Sequence, residues 1–345
     1  MTMKGVVALP RPLLQGCRRG HALHSKQMET FTEASQPLEA PSSGVPDQAG
    51  QGLLDPRTMR ARSVLKMPAL QKVYRGITSP IRLLPDFLII GTQRGGTTSL
   101  YHYLKTHPCI QLANTKDAHF FDKKFDRGLS WYRGHFPTRL GKYYSQRVRQ
   151  QPFVTGEASP SYLFHPHAPG RVAQVLPGAR LIVLLRNPVD RAYSQYFHAV
   201  KLGHESLSFE EAIEEEEERT ARERERILAD ERYYSEKYKH LTYLAKGIYV
   251  EQLRAWMELF GREQFLILKS EDFYADPAGT LKQVLAFLQL PETAPLPNKG
   301  AYEQFNTNTY SSKMDPALRQ RLSEYFRPHN ARLYDYLGVD FGWDR

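Results

Sequence analysis

Short apolar runs alternate with stretches of helical periodicity from about Ile81 onward. Phe87-Leu88-Ile89-Ile90, preceded by Pro85 and ended by Gly91, has the length and continuity of a buried parallel strand. A glycine-rich turn follows, then Leu100, Tyr103, Leu104 and His107 recur at helical spacing up to Pro108. Leu181 to Leu185 is a second continuous apolar run, an expected interior strand. Pro188 suits the first turn of a helix whose face carries Val189, Ala192, Tyr193, Tyr196, Phe197 and Val200. Phe265 to Leu268 is a third run, behind an expected helix over Val250–Phe260. Alternation of this kind predicts an α/β fold: a P-loop-type parallel β-sheet flanked by helices, in a single domain. Glu210–Lys239 has mixed charges and predicts one long solvated helix, and Pro316–Leu337 predicts a C-terminal helix packed on the domain. No internal repeat is evident. Residues 1–66 lack sustained periodicity and are rich in Pro, Gly, Ser and Gln, which predicts a disordered tail before a domain over 67–345.

Composition narrows the partners. Of 345 residues, 41% are hydrophobic and 24% charged, ordinary for a globular chain. The net charge of +10 favours anionic partners, but the cations form no compact basic tract, so nucleic acid is not expected. Only two cysteines occur, Cys17 and Cys109, which argues against a disulfide framework or a thiolate metal site and favours a reducing compartment. No apolar run approaches the ~20 residues needed to cross a bilayer, and no signal-peptide core is visible. Arg11, Arg18 and Arg19 precede the first acid, Glu29, a bias weakly like an organelle transit peptide. An extended tail, or initiation at Met67, is the preferred expectation, with a cytoplasmic location.

The stretch Gly91-Thr92-Gln93-Arg94-Gly95-Gly96-Thr97-Thr98-Ser99 has the outline of a phosphate-binding loop. Glycines allow backbone N–H groups to turn around a phosphate, and the next helix adds its positive N-terminus. The spacing from Gly91 to Gly96 matches a Walker A loop, but Thr97 stands where an NTPase needs lysine, and the cation is Arg94 inside the loop. That lowers the case for NTP hydrolysis, which uses the lysine and Mg²⁺ on β- and γ-phosphates. A ligand-free glycine turn is the plainer alternative. Arg186 falls at the end of the second strand, where open α/β sheets bind ligands, and Ser194 lies on the following helix. An arginine fork and a hydroxyl make a receptor for a second phosphate, although Arg186 pairing with Asp190 fits equally well. Two receptors at adjacent strand ends point to a nucleotide phosphorylated at two places.

Residues Pro85 to Leu100 resemble the 5′-phosphosulfate loop of sulfotransferases that use 3′-phosphoadenosine-5′-phosphosulfate (PAPS). Leu184-Leu185-Arg186-Asn187-Pro188-Val189-Asp190-Arg191-Ala192-Tyr193-Ser194 resembles their 3′-phosphate motif. The similarity runs from about Leu84 to Trp343 and is greatest to the heparan sulfate N- and 3-O-sulfotransferase branch with its soluble bacterial relatives. The resemblance implies PAPS as donor, held by Gln93, Arg94, Gly95, Gly96, Thr97, Thr98 and Ser99 at one end and by Arg186 and Ser194 at the 3′-phosphate. It implies sulfuryl transfer by in-line displacement to a hydroxyl or amino group of a carbohydrate or other small acceptor, with no required metal. Arg94 stands where the family usually has lysine; arginine keeps the charge but not the proton-donating role. Lys116-Asp117-Ala118-His119-Phe120-Phe121-Asp122 resembles the Glu-Pro-His-Phe-Phe-Asp segment of the 3-O-sulfotransferases. Asp117 falls on the glutamate that is their base, one methylene shorter, and His119 is the competing base. Glu157 and Ser159, in a segment following a short strand, are expected on the acceptor side, with Glu157 either binding acceptor hydroxyls or simply capping the segment. Ala158 replaces a lysine frequent in the heparan branch, which argues against a highly sulfated polymer as acceptor. The family's Lys-Gly-Arg clamp has no clear counterpart: Thr307-Asn308-Thr309-Tyr310 lies at its place, with Lys299-Gly300 earlier. His165, His167, His198 and His204 match no metal-ligand spacing. The rival expectations are a P-loop kinase or NTPase, and a non-catalytic nucleotide-binding protein using the charged Glu210–Lys239 segment for partners.

Overall fold

The computed structural model describes residues 68–292 and 313–344, all within one compact unit. The expected tail over 1–66 and the clamp candidates Lys299-Gly300 and Thr307–Tyr310 lie outside the described residues. Helix α1 (Pro68–Ile77) leads into β1 (Phe87–Gly91), α2 (Thr97–Lys105) and β2 (Ile110–Leu112). Short helices α3 (Phe120–Lys123), α4 (Gly128–Arg133) and α5 (Arg139–Tyr143), the last continued by a π-helical turn to Val148, precede β3 (Val154–Ala158). Then come α6 (Ala168–Val175), β4 (Arg180–Leu185), α7 (Pro188–Lys201), α8 (Phe209–Glu214), α9 (Glu216–Ala229) and α10 (Glu236–Leu241). The chain continues through α11 (Tyr249–Met257), β5 (Phe265–Lys269), α12 (Ser270–Ala275), α13 (Pro277–Phe287) and α14 (Pro316–Leu337).

The strands form one parallel sheet in the order β2-β3-β1-β4-β5. Period-two alternation sends Leu88, Ile90, Leu181 and Val183 to one face, against Val172, Leu253 and Trp256. Phe87, Ile89, Ile182 and Leu184 go to the other, against Leu100, Leu104, Leu281 and Leu285. Both faces are covered, so the central strands read as unbroken apolar runs. The three expected strands and the helices after Pro188 and from Pro316 to Leu337 are present.

Three expectations are corrected. Glu210–Lys239 is not one solvated helix. It is split near Glu215, where Glu216 turns inward and accepts hydrogen bonds from the backbone N–H groups of Tyr243 (2.8 Å), Leu244 (2.6 Å) and Ala245 (3.0 Å), and again after Ala229, before a new helix capped by Ser235. Gly156, Glu157 and Ala158 do not follow a strand but form the end of β3. The described residues already form a helix before Ile81, the amphipathic α1.

Candidate active site at the carboxyl edge of the sheet

The chain leaves β1 for β2 on one side, past β3, and later for β4 on the other, so a crevice opens beyond the carboxyl end of β1. The phosphate loop fills this position. Thr92 N–H donates to the Leu184 carbonyl (2.9 Å), Gly95 N–H to the Thr92 carbonyl (3.0 Å), and Ser270 Oγ to the Gly95 carbonyl (2.6 Å). A side chain at Gly95 would place its Cβ 2.7 Å from the Leu184 carbonyl oxygen, closer than any Cβ approaches. Gly96 sits at φ 93° as the residue before α2, a conformation that favours glycine. The loop therefore ends on the open N-terminus of a helix, whose amides and dipole attract an anion. Thr98, Gln93 and Arg94 keep partial exposure, whereas Thr97 and Ser99 are buried, Ser99 sharing a hydrogen bond with Tyr274.

The second anchor meets the first. Asn187 caps α7 through its side chain, and the Arg186 carbonyl accepts a hydrogen bond from the Tyr249 hydroxyl (2.7 Å). This fixes Arg186 so that its guanidinium donates to the Arg94 carbonyl (3.2 Å). The Arg94 guanidinium in turn donates through Nε to Ser194 Oγ (3.0 Å), a residue one hundred positions away and almost fully buried on α7. Asp190, the alternative partner for Arg186, pairs with Arg319 instead. The local field is strongly positive. His198, one turn beyond Ser194, is lowered to about 4 by burial and then by Arg94 and further cations, so it stays neutral at physiological pH. Two guanidinium groups meeting beside a helix N-terminus are complementary to an anion, and the Glu271 carboxylate accepts from the N–H of Asn187 (2.8 Å), next in sequence to Arg186.

The segment expected to supply the base lies at the same edge, beyond β2 and beside β3. Asp117 N–H donates to the Ala158 carbonyl (2.9 Å), and its carboxylate pairs with Lys116 Nζ at 2.8 Å. His119 N–H donates to Ser159 Oγ (3.3 Å), and its Nδ1 lies 2.9 Å from Asp122 Oδ2. Ser161 Oγ donates to the same carboxylate oxygen (2.6 Å). Burial alone would raise the Asp122 carboxyl, but the bonds from His119 and Ser161 outweigh it and hold the group below the usual range. An ionised Asp122 requires the imidazole proton on Nδ1 and leaves Nε2 as an acceptor. The His119–Asp122 spacing of three residues was visible in the sequence; its pairing was not read there.

Backbone geometry singles out the same residues. Among the described residues only five other than glycine have φ between 51° and 67°: Arg94, Asp117, His119, Gln150 and Gln289. The left-handed region costs an L-residue roughly 1–2 kcal/mol, and such strain concentrates at functional positions. All three candidate catalytic residues adopt it. A cavity of about 30 Å³, room for a single water, is lined by Gln93 of the loop together with Asp122 and Ser161, so the loop and the carboxylate that pairs with His119 face one space, while His119 itself does not line it. A larger cavity of about 550 Å³ lies along β2 beside α1 and contains none of these groups.

Ser159 and Glu157 are both buried. Ser159 supports the His119 backbone. Glu157 Oε1 accepts hydrogen bonds from the hydroxyls of Tyr132 (2.8 Å) and Tyr162 (3.0 Å), and the Tyr162 oxygen accepts from the Phe120 N–H (2.9 Å). Its burial leaves no face for an acceptor hydroxyl, so it acts on the base loop from beneath. Burial raises the Glu157 carboxyl to about 7, against the opposing effect of the two tyrosine bonds. The folded state therefore holds a proton that the unfolded chain releases above about pH 4.5, and stability falls as pH rises from there to about 7. Relative to Glu157→Gln, the parent protein should lose up to about 3 kcal/mol between pH 5 and pH 8 in denaturant melts. A pH-independent difference would show that Glu157 is ionised throughout.

Residues 84–331 match the family model of the sulfotransferase domain. The chain is 30% identical over 282 residues to heparan sulfate glucosamine 3-O-sulfotransferase 6 of Mus musculus, spanning 76% of this chain and 75% of that protein. It is 30% identical over 280 residues to heparan sulfate glucosamine 3-O-sulfotransferase 3B1 of Homo sapiens, spanning 76% of this chain and 65% of that one. It thus spans about two thirds to three quarters of these relatives. A solved sulfotransferase from Alicyclobacillus acidocaldarius superposes with a TM-score of 0.55 at 32% identity, covering 76% of this chain and all of the other.

Proposed function

The chain belongs to the sulfotransferase family, and from that premise we propose that its carboxyl-edge pocket binds PAPS through Arg94, Arg186, Ser194 and the amides of the Gln93–Ser99 loop. PAPS-dependent sulfuryl transfer is the family's activity; a kinase or NTPase reading is not favoured. The observation that carries the site assignment is the meeting of Arg94, Arg186 and Ser194 across one hundred residues. These groups, with the helix N-terminus, fit a nucleotide carrying one phosphate on each side of its ribose. The bound donor supplies a sulfuryl group on a good leaving phosphate. Arg94 stabilises the charge that grows on that leaving group and donates no proton. His119 Nε2 takes the proton from the acceptor hydroxyl, and Asp122, braced by Ser161, holds the ring and stabilises the imidazolium. Asp117 is the second reading for the base, favoured by its place on the relatives' glutamate and by its strained backbone; its pairing with Lys116 weighs against it.

For the acceptor we infer a hydroxyl on a carbohydrate, since the two heparan sulfate relatives are named for 3-O-transfer to glucosamine. The lack of a lysine at Ala158 favours a lightly sulfated or unsulfated sugar. Cysteine usage favours the cytoplasm, and among the described residues no helix is long and apolar enough to cross a membrane. Incubation with labelled PAPS and a glycan panel graded by sulfation should label the unsulfated members first; labelling confined to highly sulfated chains would overturn the acceptor class. Calorimetry isolates the donor site: Arg186→Ala should weaken 3′-phosphoadenosine-5′-phosphate binding by about 10²-fold, the cost of losing a charge-assisted fork. Equal affinity in parent and variant would remove Arg186 from the site.

A further inference from the structure

Helix α1 carries Leu70, Val73, Tyr74 and Ile77 at i, i+3, i+4 and i+7, the spacing of a stripe that ordinarily faces a core. Here the stripe faces solvent: each of the four is at least half exposed, and Ile77 is 75% exposed. Ile81, just beyond the helix, is exposed as well. A second exposed apolar set follows on α5 and its π-helical continuation, with Leu140 (73%), Tyr143, Tyr144 and Val148. With Leu129, these two segments hold ten of the seventeen large apolar residues exposed among the described ones. Such side chains are common singly, so it is their concentration that demands a partner.

The two segments are stitched together. Leu83 N–H donates to the Pro137 carbonyl (2.9 Å), Arg82 bridges Thr138, and Ser79 Oγ donates to the Ser130 carbonyl (2.8 Å). Their charge is nearly all of one sign, with Asp86 at their edge paired to Lys142 (3.7 Å). Residues 68–85 contain three Lys or Arg and residues 127–156 contain six, and neither stretch has a single Asp or Glu. Lys72, Arg139, Arg147 and Arg149 are exposed among the apolar positions. Both segments run into the amino ends of parallel strands, β1 and β3, whereas Arg94 follows the carboxyl end of β1 and Asp117 and His119 that of the parallel neighbour β2. A strand of five residues separates the two edges by about 15–20 Å.

We propose that this face docks on an anionic lipid bilayer surface, with the aliphatic and tyrosine side chains seated at the headgroup boundary and the cations on the acidic headgroups. An acidic polysaccharide would match the charge but leaves the Leu, Val and Ile stripe without a partner. A bilayer satisfies both, as basic amphipathic surfaces do, and each cation near it adds attraction. The catalytic crevice then opens away from the membrane.

The test is flotation of the full chain with phosphatidylcholine vesicles, with and without about one third phosphatidylserine. Binding should require the anionic lipid and weaken with salt. Arg139→Glu/Arg147→Glu and, separately, Ile77→Ser/Leu140→Ser should each reduce partitioning by at least about tenfold, with 3′-phosphoadenosine-5′-phosphate affinity and melting unchanged. Three results would overturn the proposal: no flotation of the parent chain at any composition, equal flotation of the charge variant, or retention on immobilised heparin that falls in the charge variant while vesicles bind neither protein. Because donor affinity is read in the same samples, failure here is distinct from failure of the sulfotransferase site.

Discussion

Arg94→Ala should lower the turnover number for sulfate transfer about 10³-fold while weakening 3′-phosphoadenosine-5′-phosphate binding far less. The reason lies in where charge develops. Arg94 occupies a left-handed turn of the loop and reaches across to Ser194, with Arg186 on its carbonyl. It is the loop's only cation, and a preorganised cation is most effective against charge that appears during transfer. In the proposed site the nucleotide's 3′-phosphate, by contrast, keeps its charge throughout, and Arg186 would serve it in ground and transition states alike. Arg94→Lys should recover much of the loss, since the charge returns without the fork. Single-turnover rates beside calorimetric affinities separate the two contributions. Equal loss of affinity and rate would make Arg94 a plain binding residue.

The second large effect is expected at the base. His119→Gln should lower turnover by about 10²–10⁴-fold, the range for removing a positioned proton acceptor. Asp122→Asn should follow it closely, because an amide no longer demands the Nδ1 proton and leaves the imidazolium unsupported. The double variant should be little worse than either single one, as expected when two residues act as a unit. The Asp122 carboxyl is held below its ordinary range, so this support persists above the usual carboxylate pKa and fades only as pH falls through the lowered value. Asp117→Asn should cost less than about tenfold, since Asp117 is paired with Lys116 at 2.8 Å. A large loss in Asp117→Asn with near-parent turnover in Asp122→Asn would transfer the role to Asp117.

The site's positive field and the face at the opposite edge of the sheet are separate uses of one net charge of +10. At the carboxyl edge, few cations are fixed by hydrogen bonds and aimed inward. At the amino edge, more of them are exposed and interleaved with apolar side chains. Composition alone reports only their sum.

Local pattern determined much of this protein. Unbroken apolar runs identified β1 and β4, because interior parallel strands bury both faces; β5 has the same signature at the sheet edge, where Leu266 and Ile267 are only partly buried. The glycine loop was legible because Gly95 and Gly96 occupy positions no side chain fits or favours, and Pro188 marked the start of α7. The motifs around Arg94, Asp117 and His119 marked them as candidate catalytic residues. β3 was only half visible, since Thr155 and Glu157 interrupt its pattern; both are buried and hydrogen-bonded, a state that depends on partners distant in sequence. For the same reason the Glu210–Lys239 segment read as a solvated helix, although Glu216 is buried on amides nearly thirty residues away. The approach of Ser194 to Arg94, the pairing of His119 with Asp122, and the solvent-facing stripe of α1 were settled by tertiary structure alone. Periodicity tells which residues share a face, but only packing decides what that face meets.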